Sequence, residues 1–373
     1  MIKVIIIGGG FGGLSASRRL CKSGVKLEVI LIDKKQTVDF LPMLPDCIGR
    51  MLNPDYLSYR IEDLGEKIGF NFINGEVIAL DLDKKEVSVN SEGLKYDYLI
   101  IASGSETNFY GNQGIRQYAC VLDGVSDARK MVDKLSQGKF DNYVVGGGGY
   151  TGIELATNLR LFLNKNDKKG KIVIVERAPA ILGALPEWMK KYVIDNLKRM
   201  DIEISVNNTI DIIEERRIHL SEGETMDNTF VVWAAGVKTS SFIQNLKVDK
   251  NPQGRIKVDE YLRLNNNCFV IGDAANFSQQ DSFLRMAVQF AITQGDSAAE
   301  NVIRSIKGLG LHKYKARDLG YIIPMANNRS CGSILGLNFK GSLPTILHFI
   351  MCIYRSYGIR NKIGIIKDLF KRR

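Results

Sequence analysis

The chain has 373 residues, 45% of them hydrophobic and 25% charged, with a formal net charge of +10. A chain of this length and composition can bury large cores, so a disordered or fibrous protein is excluded and two or three domains are expected. It has no uninterrupted apolar run of about eighteen residues, and its first apolar segment leads directly into glycines. We therefore expect neither a membrane-spanning helix nor a secretory leader, and a protein that is made and kept in the cytosol.

The cysteines and histidines show none of the spacings typical of a metal site or a redox pair. No two cysteines form a C-x-x-C motif, and the histidines are scattered. We expect buried thiols and no bound metal. The residues concerned are Cys21, Cys47, Cys120, Cys268, Cys331 and Cys352, with His219, His312 and His348.

The first motif is VIIIGGGFGG at residues 4–13, an apolar run that breaks into glycines. It predicts a buried strand, a turn with the spacing Gly8-x-Gly10-x-x-Gly13, and a helix. The first glycine permits the bend, the second leaves space for a pyrophosphate, and the third lets the helix pack on the strand. Asp33 ends the next predicted strand, where a carboxylate that binds ribose belongs. We interpret this unit as a dinucleotide site; the alternative is an ordinary strand–helix turn with a surface aspartate.

The segments that follow predict a buried loop and several strands. Residues 40–54 are apolar and contain prolines, which favours a buried wall beside a bound ring. Residues 70–82, 86–89 and 96–101 alternate like the strands of a meander. The last of these runs into a turn of small residues at 102–104.

The opening pattern returns at residues 143–162, where YVVGGGGYTGIELATNLRLF again predicts a strand, a glycine turn and a helix. A second strand at 171–175 again ends in an acidic residue, and a small-residue turn follows at 233–236. Two matches in the same register are improbable by chance, so the repeat predicts two dinucleotide sites. Its key positions are Gly147, Gly149, Gly152 and Glu176.

A third short buried strand is predicted at 269–271, directly before Gly272 and Asp273. An aspartate at this strand end could accept hydrogen bonds from ribitol hydroxyls. The alternative is an N-cap for a helix that starts near Ser282. We favour the ligand role, because GD follows an apolar strand and precedes a predicted helix, with the remaining motifs in order.

With these motifs in order, the chain resembles the two-dinucleotide flavoproteins and, among them, type II NADH dehydrogenase, the single-subunit NADH:quinone oxidoreductase. The segment WAAGV at 233–237 and the terminal sequences DLGYIIP, FKG and RNK are more specific to that family than the glycine turns. The resemblance implies an α/β fold with two Rossmann-like dinucleotide-binding domains, the second inserted in the first, and a C-terminal membrane-associating segment. The implied boundaries are 1–108 and 246–312 for the FAD-binding domain, 109–245 for the NADH-binding domain and 313–373 for the C-terminal domain.

The resemblance also implies the cofactors and the residues that hold them. FAD is expected to bind without a covalent link, and NADH is the expected substrate. NADH is preferred over NADPH because Glu176 would repel a 2′-phosphate, although the adjacent Arg177 could pair with it. The implied FAD positions are Gly8, Gly10, Gly13, Asp33, Pro42, Ala102, Ser103, Gly104, Gly272 and Asp273. The implied NADH positions are Gly147, Gly149, Gly152, Glu176, Ala235 and Gly236.

In the implied reaction a hydride passes from NADH to the flavin, and two electrons then reduce a membrane quinone, which also needs two protons. The resemblance assigns a catalytic role to Glu154; the alternative is a carboxylate favoured only by the dipole at its helix N-terminus. Gln289 and Thr293 are expected to contact the quinone. They lie in VQFAITQG at 288–295, where the family has a second glutamine in place of Thr293.

Three other functional classes are weighed against this one. A disulfide reductase needs a redox pair beside the flavin, and Cys47 has no cysteine close by in the sequence. Sulfide:quinone oxidoreductase is similar throughout and has cysteines comparable to Cys120 and Cys331, but its further cysteine has no counterpart between Cys120 and Cys268. A non-catalytic flavoprotein that binds NADH and senses redox state would carry the same binding motifs.

The C-terminal residues 343–373 carry seven Lys or Arg against a single acidic residue. Apolar residues between these cations favour anionic lipid over nucleic acid as the partner. Ile363, Ile366 and Phe370 recur at helical spacing, which predicts a helix lying in the membrane interface. We therefore expect a peripheral protein on the cytoplasmic face of the cell membrane. The alternative is a helix packed on its own domain or at the seam of a homodimer.

Overall fold

A computed structural model describes residues 1–183, 185–279 and 282–371, and it divides the chain into two units, each assembled from separate stretches. The first unit comprises 1–38, 59–106 and 237–318, and the second comprises 39–58, 107–236 and 319–373. The helices, in chain order, are α1 Phe11–Cys21, α2 Asp46–Gly49, α3 Ile61–Ile68, α4 Gln113–Tyr118, α5 Val125–Gln137, α6 Tyr150–Lys165, α7 Glu187–Arg199, α8 Ser241–Asn245, α9 Val288–Ile306, α10 Ser342–Arg355 and α11 Ile359–Phe370.

The first unit is built on a six-stranded sheet whose central strand is Ile2–Ile7. This strand pairs in parallel with Leu27–Asp33 on one side and with Tyr98–Ile101 on the other. Its β-branched side chains are buried on both faces, as expected for a parallel strand covered by helices. The strand order across the sheet is Arg263–Asn265, Cys268–Val270, Tyr98–Ile101, Ile2–Ile7, Leu27–Asp33 and Asn71–Asn74.

The second unit repeats this arrangement with a four-stranded parallel sheet. Its central strand Asn142–Gly146 pairs with Lys171–Glu176 on one side and with Thr229–Trp233 on the other. The outer strand is Ile202–Val206, next to Lys171–Glu176. In both units the central strand therefore lies between the strand that ends in an acid and the strand that precedes the small-residue turn. The predicted α/β class with two Rossmann-like units, one interrupting the other in sequence, is confirmed.

Small sheets accompany both units; the three-stranded ones are antiparallel, and the pair Ile256–Lys257 with Ala275–Asn276 is parallel. The first unit contains Val77–Asp81, Glu86–Val89 and Glu92–Lys95, together with the short pairs Ile256–Lys257 with Ala275–Asn276 and Ser278–Gln279 with Ser282–Phe283. The second contains Ile210–Ile213, Arg217–Leu220 and Thr225–Asp227, and also Gly320–Ile323, Ser330–Ile334 and Leu337–Gly341. Four further short strands are Thr37–Asp39, Ser58–Arg60, Ser105–Thr107 and Val237–Thr239.

The predicted meander is wrong in two respects. Its first segment, 70–82, splits into Asn71–Asn74 and Val77–Asp81, and the former joins the parallel sheet. Its last segment contributes Tyr98–Ile101, which is a parallel strand between Ile2–Ile7 and Cys268–Val270. Alternation in the sequence identified extended backbone but could not say which sheet each strand joins, because that depends on partners distant in sequence.

The C-terminal segment belongs to the second unit. Helix α10 follows the three-stranded sheet at 320–341, and α11 follows α10 after a short turn. Within residues 1–183, 185–279 and 282–371, no helix combines the length and apolar character that crossing a membrane requires. The three-domain division expected from the sequence stays a prediction.

Candidate active site

The first glycine turn has the geometry that a nucleotide turn needs. Gly8 has φ of 107°, and a Cβ there would lie 2.3 Å from the carbonyl oxygen of Ala102. A Cβ on Gly13 would lie 1.9 Å from the carbonyl oxygen of Gly8. No larger residue fits either position, so both glycines are required for the close passage of α1 over the strand end.

The middle glycine of this turn faces open space instead. A Cβ on Gly10 would meet no protein atom within 4 Å, and the backbone N–H groups of the first turn of α1 follow it. Asp33 accepts the backbone N–H of Gly9 at 2.6 Å and that of Lys35 at 2.7 Å, which fixes its carboxylate beside the turn. An open cradle of N–H groups beside a fixed carboxylate fits the pyrophosphate and ribose of a dinucleotide.

The loop at Gly272 and Asp273 lies in the same unit and follows the strand Cys268–Val270. Asp273 accepts a hydrogen bond from the Ser105 hydroxyl at 2.8 Å, and burial raises the pKa of its carboxyl. The backbone N–H of Gly272 donates to Oε1 of Gln294 at 2.7 Å. Gln294 was not singled out from the sequence, although it is the second glutamine of the segment VQFAITQG.

The alternative role of Asp273 as a helix cap is wrong. Ser282–Phe283 is extended and pairs with Ser278–Gln279, so no helix starts near Ser282. Helix α9 begins at Val288, and its N-cap is Ala287. The carboxylate of Asp273 therefore caps no helix near Ser282, and it accepts a hydrogen bond from Ser105.

The other positions expected to bind FAD fall in two places. The turn Ala102-Ser103-Gly104 follows the strand Tyr98–Ile101, and Gly104 has φ of 65° with open space where a Cβ would lie. It therefore stands at the same sheet edge as Gly8 in the first unit. Pro42 belongs to the second unit, where it is half-buried in the single turn Leu41–Met43.

The second glycine turn has the same backbone features as the first. Gly147 has φ of 110°, and a Cβ on Gly152 would lie 1.9 Å from its carbonyl oxygen. A Cβ on Gly149 would meet no protein atom within 4 Å. Glu176 accepts the N–H of Gly148 at 2.7 Å, as Asp33 does in the first turn. The same local sequence thus builds the same cradle twice.

A cavity of about 410 Å³ opens beside this second turn. Glu176 and Arg177 line one part, and Trp233, Ala235 and Gly236 line another. The indole N–H of Trp233 donates to the carbonyl oxygen of Asn108 at 2.9 Å, which fixes the ring. A cavity of a few hundred Å³ that combines aromatic walls with polar and charged side chains suits a ligand of nucleotide size.

Tyr110 and Trp233 line the cavity but were not among the site residues predicted from the sequence. Tyr110 also lines the cavity, and a Cβ on Gly236 would lie 2.1 Å from its hydroxyl. Gly236 is therefore required for the close approach of the tyrosine. Tyr110 carries no motif around it, whereas Trp233 begins the WAAGV segment already recognised.

Glu154 lies in α6 within a buried polar cluster of the second unit. A carboxylate oxygen of Glu154, a carboxylate oxygen of Asp46 in α2 and a ring nitrogen of His348 in α10 all lie within 4.8 Å of one another. Arg50 donates from Nε to Oδ1 of Asp46 at 2.8 Å. Oδ2 of Asp46 and Oε1 of Glu154 are buried and have no hydrogen-bond partner among the described residues. Cys352 Sγ lies 3.6 Å from Nε2 of His348.

Burial sets the protonation of this cluster. Desolvation raises the pKa of Glu154 well above its usual range, and the negative charge of Asp46 raises it further. Desolvation also raises the pKa of Asp46 to about 6, although Arg50 opposes the shift. The pKa of His348 is lowered to about 4 by burial and by Arg50. Burial therefore favours the neutral, protonated form of Glu154 over its carboxylate.

Gln289 and Thr293 both lie on α9 in the first unit, one turn apart. The amide of Gln289 donates to Oδ1 of Asp318 at 2.9 Å. Two guanidinium nitrogens of Arg285 donate to the two oxygens of the same carboxylate. The hydroxyl of Thr293 lies 2.8 Å from that of Tyr314. Tyr314 was missed because nothing in its sequence neighbourhood marks it.

Comparison with known proteins places the chain among flavin-linked reductases. The profile of the pyridine nucleotide-disulphide oxidoreductase family matches residues 2–295. Demethylphylloquinone reductase NdbB of Synechocystis is 26% identical over 95% of this chain and 92% of its own, and type II NADH:quinone oxidoreductase of Staphylococcus aureus is 27% identical over 99% and 98%. The structure of NDH2 from Plasmodium falciparum in complex with NADH superposes with a TM-score of 0.88 at 19% identity, covering 99% of this chain and 98% of that one. The sulfide:quinone oxidoreductase of Aquifex aeolicus superposes with a TM-score of 0.82 at 18% identity, covering 98% and 92%.

Proposed function

The chain belongs to the pyridine nucleotide-disulphide oxidoreductase family, and on that premise we propose that it is an FAD-dependent NADH:quinone oxidoreductase of the type II kind. The predicted resemblance to type II NADH dehydrogenase is confirmed by relatives that match it over nearly their whole length. The observation that carries the proposal is the repeated glycine turn, with Asp33 and Glu176 in equivalent positions. Two such turns in one chain suit one bound cofactor and one exchangeable dinucleotide.

FAD is assigned to the first unit. The open space at Gly10 would accommodate the pyrophosphate, Asp33 would accept ribose hydroxyls, and Asp273 would accept hydroxyls of the ribitol. When bound, the flavin accepts a hydride and passes on two electrons. The groups on the chain explain non-covalent binding, and none is needed as an attachment point.

NADH is assigned to the second unit, in the cavity beside Gly147. One carboxylate oxygen of Glu176 accepts the N–H of Gly148, and the other accepts the N–H of Ala178 at 2.8 Å. These two bonds fix the carboxylate, and its oxygens can still accept hydrogen bonds from ribose hydroxyls. A 2′-phosphate would meet this carboxylate directly. Flavin reduction should therefore be faster with NADH than with NADPH, and Glu176→Gln should narrow the difference.

Glu154 is assigned the handling of protons. Burial raises the pKa of its carboxyl, which favours the protonated form that can donate during quinone reduction. The quinone contacts assigned to Gln289 and Thr293 stay predictions, and we include Tyr314 in the proposal because its hydroxyl lies 2.8 Å from that of Thr293. Thr293 and Tyr314 together would present polar hydrogen atoms where the family has a second glutamine.

Two alternatives remain to be separated by experiment. Sulfide oxidation through Cys120 and Cys331 is less favoured, because burial raises the pKa of Cys120 and raises that of Cys331 to about 12, whereas the thiolate is the reactive form. A redox sensor without turnover would bind the same dinucleotides. Steady-state NADH oxidation by the purified flavoprotein decides between these functions: strong stimulation by a menaquinone or ubiquinone analogue supports the proposal, and NADH binding without turnover contradicts it.

The membrane surface is the proposed site of action. Helices α10 and α11 expose an apolar set on the second unit, and cations border it on α11. This set is Ile346, Ile350, Tyr354, Ile359, Ile363, Ile366 and Phe370. Such a surface suits insertion into anionic lipid on the cytoplasmic face, where NADH is available, with the quinone dissolved in the same membrane.

The alternative interpretation, a C-terminal helix packed on its own domain, describes the other face of α11. Ile365 is buried, Asn361 donates to the carbonyl oxygen of Ser58 at 3.0 Å, and Asp368 accepts the N–H of Asn53 at 3.0 Å. One face of α11 therefore anchors the helix to its unit while the opposite face stays exposed. A homodimer could cover the exposed face instead, and a monomer that binds vesicles would rule that out.

A further inference from the structure

We propose that Asp46, Glu154 and His348 form a binding site for a divalent cation of the zinc class, and that the bound ion slows turnover by immobilising Glu154. The regulatory half of this proposal rests on the proposed function of Glu154, whereas the binding half does not. It departs from the expectation of no metal, which was drawn from residue spacing alone. The three residues come from α2, α6 and α10, so no sequence spacing could indicate the site.

The first argument is the set of unsatisfied atoms. Asp46 is only 3% exposed, yet its Oδ2 has no hydrogen-bond partner among the described residues, and the same holds for the buried Oε1 of Glu154. Leaving a buried carboxylate oxygen without a partner costs about 1–3 kcal/mol or more. A proton on one carboxyl can bridge two of the three groups, whereas a metal ion satisfies all three at once.

The second argument is the kind and spacing of the ligands. Two carboxylate oxygens and one imidazole nitrogen suit Zn²⁺, and three protein ligands leave its fourth position open. Ligands at about 2 Å from a tetrahedral ion lie about 3.3 Å apart, so side-chain rotations of roughly 1 Å would close the observed spacing, which is at most 4.8 Å. Mg²⁺ prefers an octahedron of oxygens and retains its waters, so it fits this site less well.

The third argument concerns Arg50, the one cation in contact with the cluster among the described residues. Its Nε is bound to Oδ1 of Asp46, a terminal nitrogen donates to Asn328 at 2.8 Å, and its guanidinium lies 4.9 Å from the centre of the Phe349 ring. These contacts hold Arg50 on the far oxygen of Asp46 and leave Oδ2 free. One positive charge does not balance two ionised carboxyl groups, so the charge of the cluster favours a second cation.

Titration of the EDTA-treated, FAD-loaded protein with ZnCl₂ by calorimetry tests the site. We expect one tight equivalent, weakened about tenfold or more in His348→Gln and in Asp46→Asn, which keeps an acceptor for Arg50. The matched control is His219→Ala, because His219 lies on the strand Arg217–Leu220 with its ring nitrogen 2.8 Å from the Thr225 hydroxyl, and its loss should not change the affinity. MgCl₂ at the same concentration should not compete. Equal zinc affinity in wild type and His348→Gln, or no tight equivalent, would overturn the site.

NADH oxidation measured with and without zinc tests the regulatory half. Zinc should slow NADH oxidation by the wild type and by His219→Ala. His348→Gln should oxidise NADH at the same rate with zinc as without it. Tight zinc binding that leaves wild-type turnover unchanged would contradict regulation through Glu154. Zinc binding in a protein that oxidises no NADH would keep the site and overturn the proposed function, whereas turnover without zinc binding would do the reverse.

Discussion

Oε1 of Gln294 accepts the backbone N–H of Gly272 at 2.7 Å, so a residue of helix α9 holds the loop that carries Asp273. Gln294→Ala should leave that partly buried N–H without its partner, at a cost of about 1 kcal/mol. We expect the apoprotein of this variant to bind FAD about tenfold more weakly in a fluorescence titration. Gln253→Ala, in an exposed turn, is the control, and equal FAD affinity in all three proteins would show that the loop needs no such support.

The two middle glycines allow a matched test of which turn binds which dinucleotide. Neither Gly10 nor Gly149 has a protein atom within 4 Å of an added Cβ, so valine should be accommodated by the folded chain but occupy the ligand's space. Gly10→Val should purify without FAD. Gly149→Val should keep its FAD and lose reduction by NADH. Gly310→Val, which also adds a side chain in open space, should change neither, and a fully yellow Gly10→Val would contradict the assignment.

Glu154→Gln should slow quinone reduction by about a hundredfold with little change in KM for NADH, because it removes a transferable proton and keeps the shape. The folded-state pKa of Glu154 is raised, so the active protonated form persists above the usual range and is lost as pH rises through that pKa. The wild-type kcat should therefore fall on the alkaline side, and the variant should lack that limb. The profile is measured in EDTA, with the surface variant Glu203→Gln as control. An effect confined to KM would assign Glu154 to binding.

Membrane attachment is tested by charging the exposed face of α10 and α11. Ile350 is 55% exposed and Phe370 is 83% exposed, and each should insert into lipid. The double variant Ile350→Glu/Phe370→Glu should bind anionic vesicles at least about tenfold more weakly, since burying each apolar side chain contributes about 1.5–3 kcal/mol. Ile212→Glu is the matched control, because Ile212 is also 55% exposed but lies on a hairpin. Unchanged sedimentation with vesicles would show that this face serves another purpose.

The parts that could be predicted from the sequence are those whose chemistry is local. A glycine turn, its strand and its acid lie within a few dozen residues, so Gly8 with Asp33, and Gly147 with Glu176, could be recognised from spacing alone. The start of α9 could not, because the extended backbone at Ser282–Phe283 depends on its pairing with Ser278–Gln279. The cluster of Asp46, Glu154 and His348 was equally out of reach, since three separate helices bring it together.

The most direct test of the central claim is the visible spectrum of the purified protein under anaerobic conditions. One equivalent of NADH should bleach the oxidised flavin band, and one equivalent of a menaquinone or ubiquinone analogue should then restore it fully, with no sulfide present. Restoration by the quinone identifies the acceptor and the two-electron stoichiometry together. A flavin that NADH reduces but that no quinone reoxidises, or a flavin that only sulfide reduces, would contradict the proposed function.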